Sequence, residues 1–241
     1  MTRHPDVIVA LDFPDPETAW ELVERLPVDT WYKVGLELFT RAGPPVVERL
    51  VGEGRNVFLD LKLHDIPNTV AGAVRSASRL GARLLTVHAA GGEAMLRAAA
   101  HAAAESAGDG GSAEPSDRLR LLAITVLTSL DDAALSAVIG PGASVEETAG
   151  RLAGLARESG IDGAVSSVNE CRAIKLACGA EFLVVTPGIR LAGQGTQDQL
   201  RVATPSTARA AGADYLVIGR PITGAEDPAA AARRIVGELA G

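Results

Sequence analysis

The sequence lacks the features that would point to a membrane protein, a secreted protein or a redox protein. No apolar run reaches the ~18 residues that a membrane-spanning helix needs, and the polar N-terminus has no apolar signal-peptide segment. The only cysteines, Cys171 and Cys178, are spaced for neither a CxxC redox pair nor a zinc knuckle. We therefore expect reduced thiols in the core or in a helix, and a cytoplasmic protein.

Histidine and positive charge are also scarce. The chain has 4 histidines, and because no two lie within one helical turn, a histidine-rich metal site is not expected. The 30 acidic and 23 basic residues give a net charge of −7, which argues against nucleic acid or an anionic membrane as the main partner. What the chain does have is apolar content, 47% of 241 residues, enough for one large core or two small ones.

Short β-branched runs alternate with amphipathic, alanine-rich stretches along the whole chain. The runs predict strands at 6–11, 31–35, 56–62, 84–88, 119–127, 163–165, 182–185 and 215–218. The stretches predict helices at about 16–26, 44–53, 68–80, 93–106, 145–159, 168–178, 206–211 and 227–239. These strand–helix units favour a single-domain (β/α)8 TIM barrel spanning 1–241. A doubly wound open sheet is the alternative, weakened by the absence of a GxGxxG turn after the first strand.

Two segments between the predicted elements have different expected roles. Residues 106–117, rich in Gly, Ser and Asp, would lie on the N-terminal face of a barrel, where we expect a mobile, non-catalytic loop. Residues 186–196 contain several glycines and follow the seventh strand, on the face where barrels carry out chemistry. They are a candidate lid.

Opposite charges occur at the end of the third predicted strand. Asp60 and Lys62 follow the apolar residues 57–59, and strand periodicity places both on one face. Two charges at a buried strand end are costly unless they pair with each other or act on a ligand. A structural ion pair and a catalytic pair both remain open at this point.

Polar residues also stand at most of the other predicted strand ends, where one barrel rim would bring them together. They are Asp12, Lys33, His88, Thr128, Ser129, Arg190 and Gly219–Arg220. Lys33, inside a strand, needs a partner, and Asp12 or Asp60 would be the natural one. We expect His88 to be structural rather than catalytic. Because the loops after strands seven and eight of barrels commonly bind phosphate, Arg190 and Arg220 are candidate phosphate ligands, and the helix after strand eight would add its dipole.

These motifs together resemble the orotidine 5′-phosphate decarboxylase family. Residues 60–69, with the sequence Asp-Leu-Lys-Leu-His-Asp-Ile-Pro-Asn-Thr, are similar to its signature. Further blocks cover nearly the whole chain: Leu-Asp at 11–12, YKVG at 32–35, TVH at 86–88, VLTS at 126–129, VTPGIR at 185–190, Asp-Gln at 198–199 and IGRPI at 218–222. The order and spacing resemble the bacterial short form.

The resemblance implies a reaction, decarboxylation of orotidine 5′-monophosphate to UMP and CO2 with no metal or organic cofactor, and a set of residue roles. Lys62 would protonate C6, with Asp60 and Asp65 beside it. Lys33 and Asp12 would hold the ribose hydroxyls. Thr128 and Ser129 would meet the pyrimidine, while Pro187, Arg190, Gln199, Gly219 and Arg220 would form the phosphate site and its lid.

The resemblance also implies a homodimer with shared active sites. Asp65, Ile66 and Thr69 would reach into the site of the neighbouring subunit. Two alternatives remain open. A sugar-phosphate aldolase or decarboxylase of the same superfamily would need Mg2+ and an acidic ligand on the second strand, where Glu37 is the only nearby carboxylate. A barrel that only binds a phosphorylated ligand would leave the Lys33, Asp60, Lys62 and Asp65 cluster unexplained.

Overall fold

The structure, a computed structural model, describes residues 5–108, 118–190 and 203–240. In this part of the chain eight parallel strands form a closed barrel in sequence order, and β8 pairs with β1 to close it. The strands are β1 (Asp6–Ala10), β2 (Trp31–Gly35), β3 (Asn56–Leu63), β4 (Leu84–His88), β5 (Arg120–Ile124), β6 (Gly163–Val165), β7 (Leu183–Thr186) and β8 (Tyr215–Ile218). The predicted (β/α)8 barrel is confirmed, and the open-sheet alternative is wrong.

Helices connect the strands and cover the outside of the barrel. They are α1 (Pro16–Glu24), α2 (Leu36–Ala42), α3 (Pro44–Gly52), α4 (Pro67–Arg79), α5 (Gly92–Gly108), α6 (Asp132–Ile139), α7 (Val145–Glu158), α8 (Val168–Cys178), α9 (Pro205–Ala211), α10 (Arg220–Thr223) and α11 (Pro228–Ala240). Polar residues start several of them: the side chains of Asp15, Asp131 and Ser144 accept a hydrogen bond from a first-turn backbone N–H. Such caps satisfy backbone donors that have no partner within the helix.

The strand residues separate into two apolar layers because successive side chains point to opposite faces. On β1, Ile8 and Ala10 pack inside the barrel with Phe58, whereas Val9 packs outward against the helices. Most of the buried apolar side chains lie in the outer layer, between barrel and helices. The core inside the barrel is therefore small compared with the outer layer.

Aromatic and cationic side chains fill the N-terminal end. Trp31, Arg120 and Tyr215 begin β2, β5 and β8. The Arg120 guanidinium donates a 2.8 Å hydrogen bond to the Tyr215 hydroxyl, and the Tyr215 ring meets the Trp31 ring edge-on at 5.3 Å. This floor leaves the C-terminal mouth of the barrel as the place for a ligand.

The observed elements differ from the predicted ones mainly in short segments. Helices α2, α6 and α10 were not predicted, because segments of 7, 8 and 4 residues are too short for a helical period to stand out. Helix α5 continues to Gly108, so the expectation of a loop from 106 was wrong for its first residues. Residues 109–117 of that loop, and 191–196 of the candidate lid, lie outside the described residues. No helix in the described ranges is long and apolar enough to span a membrane.

Candidate active site

A buried lysine on β2 forms the first ion pair of the barrel mouth. Lys33 Nζ lies 2.7 Å from Asp12 Oδ1, with the lysine side chain only 10% exposed and the aspartate 58% exposed. Asp12 follows β1, which pairs with β2 so that Ala10 lies opposite Lys33. The ion pair offsets the cost of burying an ammonium group. Of the two partners predicted for Lys33, the structure pairs it with Asp12.

A glycine makes room for this ion pair. A Cβ atom at Gly35 would lie 2.7 Å from Lys33 Nζ and 3.2 Å from Asp12 Oδ1. The backbone at Gly35 has φ −94°, which any residue can adopt, so the requirement at this position is space rather than conformation. The sequence reading had no role for Gly35, because a glycine that ends a strand usually marks a turn.

Asp60 and Lys62 form the second ion pair, on β3. Lys62 Nζ lies 2.7 Å from Asp60 Oδ2, and both side chains are largely buried. The second oxygen, Asp60 Oδ1, accepts a 2.9 Å hydrogen bond from the Thr86 hydroxyl. With both oxygens occupied, the carboxylate is held in one orientation toward the Lys62 ammonium.

The backbone that carries this pair is irregular at Lys62. The β3–β4 pairing shifts register between Leu59 and Leu63, and Lys62 has φ 51°, the one positive φ of a non-glycine residue among those described. Such a conformation costs of order 1 kcal/mol and persists only where its surroundings enforce it. Side-chain alternation is nevertheless kept through this segment, because Leu61 and Leu63 pack with the outer layer while Asp60 and Lys62 line a cavity at the barrel mouth. Asp60 and Lys62 therefore share one face, as strand periodicity predicts.

The two ion pairs lie in the wall of a cavity of about 410 Å3 at the C-terminal mouth of the barrel. The predicted residues that line it are Asp12, Lys33, Asp60, Lys62, Thr128, Pro187, Gly188, Arg190, Gly219 and Arg220. Apolar side chains that the sequence reading did not assign complete the wall: Ala10, Phe58, Ile124, Val126, Leu127, Val165 and Val217. The cavity therefore combines apolar side chains with charged groups, which suits a polar ligand with a flat apolar part.

Two arginines line the cavity on the β7–β8 side. The Arg190 N–H donates to the Ala203 carbonyl at 2.9 Å, and its guanidinium donates to the Ile189 carbonyl at 2.9 Å. Arg220 follows Gly219 at the end of β8 and begins α10. Because α10 has only four residues, the contribution expected from its dipole is small. The positive charge on this side comes chiefly from the two guanidinium groups.

Some predicted site residues do not line this cavity. Asp65, Ile66 and Thr69 are exposed, and the Asp65 carboxylate accepts a 2.7 Å hydrogen bond from the Ile66 N–H. Ser129 is exposed beside the cavity-lining Thr128. Gln199 lies outside the described residues. The isolated chain thus brings together the predicted residues of β1, β2, β3, β7 and β8 and Thr128 after β5, but not Ser129 or the residues after β3.

His88 packs beside the catalytic-face residues without lining the cavity. Its ring stacks on His64 with 5.2 Å between centroids. Burial lowers the pKa of His88 below its ordinary value, and the neighbouring His64 and Lys62 lower it further. A neutral histidine in this position agrees with the structural role that the sequence reading favoured.

Comparisons with known proteins agree on one family. A family model described as "Orotidine 5′-phosphate decarboxylase / HUMPS family" matches residues 5–235. The orotidine 5′-phosphate decarboxylase of Moorella thermoacetica is 55% identical over 234 residues, covering 97% of this chain and 91% of that protein. The same-named protein of Halorhodospira halophila is 54% identical over 237 residues, covering 98% and 96%.

A solved structure is similar over the same range. The crystal structure of orotidine 5′-phosphate decarboxylase from Lactobacillus acidophilus has a TM-score of 0.86 to this chain and is 38% identical to it. The match covers 99% of this chain and all of that one. The fold and the sequence thus give the same assignment across the barrel.

Proposed function

This chain belongs to the orotidine 5′-phosphate decarboxylase / HUMPS family. We propose that the protein decarboxylates orotidine 5′-monophosphate in the cavity between the two ion pairs and the two arginines. The reaction converts orotidine 5′-monophosphate to UMP and CO2 in pyrimidine biosynthesis, which makes the protein a carbon–carbon lyase. One observation carries the site assignment. The Lys62 ammonium is fixed 2.7 Å from Asp60 in the wall of a cavity that Arg190 and Arg220 also line.

Lys62 is the proton donor in this proposal. When the bond between C6 and the carboxylate breaks, its electron pair stays on C6 and CO2 leaves. A fixed ammonium stabilises the negative charge that develops there and then transfers a proton to C6 to give UMP. Solvent returns the proton to the neutral amine after product release. The bulge that aims the Lys62 side chain supports this role, because backbone strain of this kind is often found at functional sites.

Asp60 keeps Lys62 protonated and oriented. Its carboxylate favours the charged form of the ammonium, and the hydrogen bond from Thr86 fixes its direction. Beside it, the Lys33–Asp12 pair supplies a donor and an acceptor for the ribose hydroxyls. Thr128, after β5, meets the edge of the pyrimidine, and the apolar part of the cavity wall takes its ring. The pyrimidine contact expected for Ser129 stays a prediction.

Arg190 and Arg220, with Pro187, Gly188 and Gly219, bind the phosphate. Strand β7 lies four places from β3 around the closed barrel, so the Arg190 side of the cavity faces the Lys62 side. A guanidinium group offers paired donors to a phosphate dianion. Binding energy from this remote group positions the reacting carbon against Lys62. The lid and the Gln199 contact stay predictions.

We further propose a homodimer whose subunits share their active sites. Asp65, Ile66 and Thr69 are exposed just beyond β3, and Ile66, an apolar side chain, is 67% exposed. Contacts from these residues to a partner's cavity would explain why none of them lines the cavity of its own chain. The cytoplasmic location expected from the sequence also stays a prediction.

Mixing two inactive variants tests the shared site. A heterodimer of Lys62→Ala and Asp65→Ala subunits has one site with both lesions and one site with neither. If subunits exchange freely, half of all dimers are mixed, so roughly a quarter of wild-type activity should return. Exchanged subunits that stay inactive would place Asp65 in the site of its own chain.

An assay with purified protein tests the reaction. Loss of the orotate chromophore from orotidine 5′-monophosphate is followed with and without EDTA, and we expect the same rate in both. Rapid turnover that EDTA abolishes would favour the magnesium-dependent alternative. In the structure Glu37, the ligand that this alternative would use, is exposed at the start of α2, while Lys33 occupies the strand itself.

A further inference from the structure

Thr86, on the neighbouring strand β4, forms hydrogen bonds with the Asp60 carboxylate and with the Lys62 backbone. We propose that Thr86 is a positioning residue whose hydroxyl sets the geometry of Lys62 for proton transfer. This inference rests on the proposed function, since Lys62 must act on the substrate for its geometry to matter. Thr86 is fully buried and does not line the cavity, so it acts through the ion pair and not on the substrate.

The bulge in β3 leaves a gap in the strand pairing that the Thr86 hydroxyl fills. Leu59 pairs with Leu85 and Leu63 pairs with Val87, so residues 60–62 face Thr86 alone on β4. In a regular ladder a backbone N–H donates to a carbonyl of the neighbouring strand. At Lys62 the N–H donates instead to Thr86 Oγ1, at 2.8 Å. The hydroxyl therefore stabilises the backbone conformation with φ 51° that aims the Lys62 side chain.

The same hydroxyl fixes the carboxylate that the lysine contacts. A hydroxyl has one proton to donate, and at Thr86 this proton goes to Asp60 Oδ1 at 2.9 Å. Its oxygen accepts the Lys62 N–H, so the direction of both hydrogen bonds is determined. Asp60 Oδ2 is then left to accept from Lys62 Nζ at 2.7 Å. The Thr86 side chain thus connects the Lys62 backbone to Asp60, and Asp60 in turn accepts from the Lys62 ammonium.

Removing the hydroxyl should lower kcat more than it changes KM. Thr86→Val keeps the shape of the side chain but leaves both the Asp60 oxygen and the Lys62 N–H without this partner. The free energy lost with such buried hydrogen bonds is large enough to lower kcat by about tenfold or more. KM should change by less than about threefold, because the groups proposed to bind ribose and phosphate are not touched. Thr86→Ser keeps a hydroxyl and should recover most of the wild-type kcat.

Steady-state kinetics of four variants test the proposal. Thr86→Val, Thr86→Ala and Thr86→Ser are assayed beside Thr125→Val, a matched control in which a buried hydroxyl that donates to the Val165 carbonyl at 3.0 Å is lost. Thr86→Ala provides a second variant without the hydroxyl, should valine prevent folding. We expect loss of kcat in the valine and alanine variants, recovery in the serine variant and near wild-type kcat in Thr125→Val. Crystal structures of Thr86→Val and Thr86→Ser should show the Lys62 backbone changed only in the valine variant.

Other outcomes would overturn the proposal. They are an unchanged kcat in Thr86→Val or Thr86→Ala, an equal loss in Thr125→Val, or no recovery in Thr86→Ser. Wild-type protein that does not decarboxylate the substrate would instead count against the proposed function. In that case the crystal structures still decide whether the Thr86 hydroxyl sets the Lys62 geometry.

Discussion

The two sides of the cavity are built in different ways. On the β1–β3 side, charged residues stand on or directly after strands and pair with each other at 2.7 Å. On the β7–β8 side, Arg190 and Arg220 stand after the strands, and the cavity wall there also includes Pro187, Gly188 and Gly219. The first side holds its charges in close ion pairs, which orients a proton donor. The second side offers long cationic side chains, which suit the binding of a dianion.

The largest effect on kcat is expected from a substitution of Lys62 on the first side. Lys62→Ala removes the proposed proton donor, so kcat should fall by about a hundredfold or more, while the protein stays folded. Steady-state kinetics and thermal unfolding measure both effects. Retention of more than a few per cent of the wild-type kcat would contradict the general-acid role.

A second lysine provides the matched control for this variant. Lys175 forms an ion pair of the same length, 2.7 Å, with Asp214, away from the cavity. Lys175→Ala should lower the melting temperature without lowering kcat. Equal losses of kcat in both variants would mean that ion-pair loss, and not the position of Lys62, causes the effect.

On the opposite side, Arg220→Ala should give an intermediate effect. A charge-assisted hydrogen bond contributes about 1.5–3 kcal/mol, so kcat/KM should fall by at least about tenfold. The exposed Arg233 on α11 serves as the control, because Arg233→Ala removes the same charge outside the cavity. Loss of equal size on the phosphorylated substrate and on the unphosphorylated nucleoside would show that Arg220 does not bind phosphate.

Gly35→Ala should have a smaller effect that is confined to the first side. The added methyl group would contact Lys33 Nζ at 2.7 Å, so the ammonium must shift from Asp12. Because Lys33 is proposed to bind the ribose, KM should rise by about three- to tenfold with a smaller change in kcat. Gly150→Ala on α7 is a control outside the cavity, because its methyl group would meet no heavy atom within 4 Å. Unchanged kinetics in Gly35→Ala would show that Lys33 accommodates the methyl group.

The smallest effect is expected at His88, behind Lys62. The pKa of His88 is lowered in the folded protein, so the unfolded chain protonates this histidine more readily than the folded protein does. The stabilising contribution is therefore complete above the ordinary value of about 6.5 and is lost as pH falls through the lowered pKa. His88→Gln should weaken this loss, as measured by thermal unfolding at about pH 7.5 and about pH 5.5. The same pH dependence in both proteins would contradict the assignment.

The sequence was sufficient for the fold class and for most of the cavity. Alternating strand and helix patterns predict the barrel, since eight short buried runs separated by amphipathic helices have few other ways to bury their surfaces. Charges at strand ends, such as Lys33 and Asp60, could be assigned to one rim because parallel strands of a barrel all end on the same face.

Other features could be recognised only in the folded chain. Gly35 gains its role from the ion pair that Lys33 forms with Asp12, and Thr86 gains its role from Asp60 and Lys62 on β3. No local pattern distinguishes them from a turn glycine or a core threonine. Periodicity places Asp60 and Lys62 on one face, but the irregular backbone at Lys62 depends on how β3 meets β4. The position of Asp65, Ile66 and Thr69 relative to a partner's cavity depends in turn on a second chain.

By itself the sequence determined which residues are apolar, which carry charge and at what spacing, and these fix the barrel and the side of it that carries chemistry. The tertiary structure decided that Asp12, and not Asp60, is the partner of Lys33, and that one hydroxyl on β4 joins Asp60 to the Lys62 backbone. The physical reason is range. Hydrophobic burial acts on patterns along the chain, whereas hydrogen bonds and close ion pairs depend on distances between strands that only the closed barrel sets.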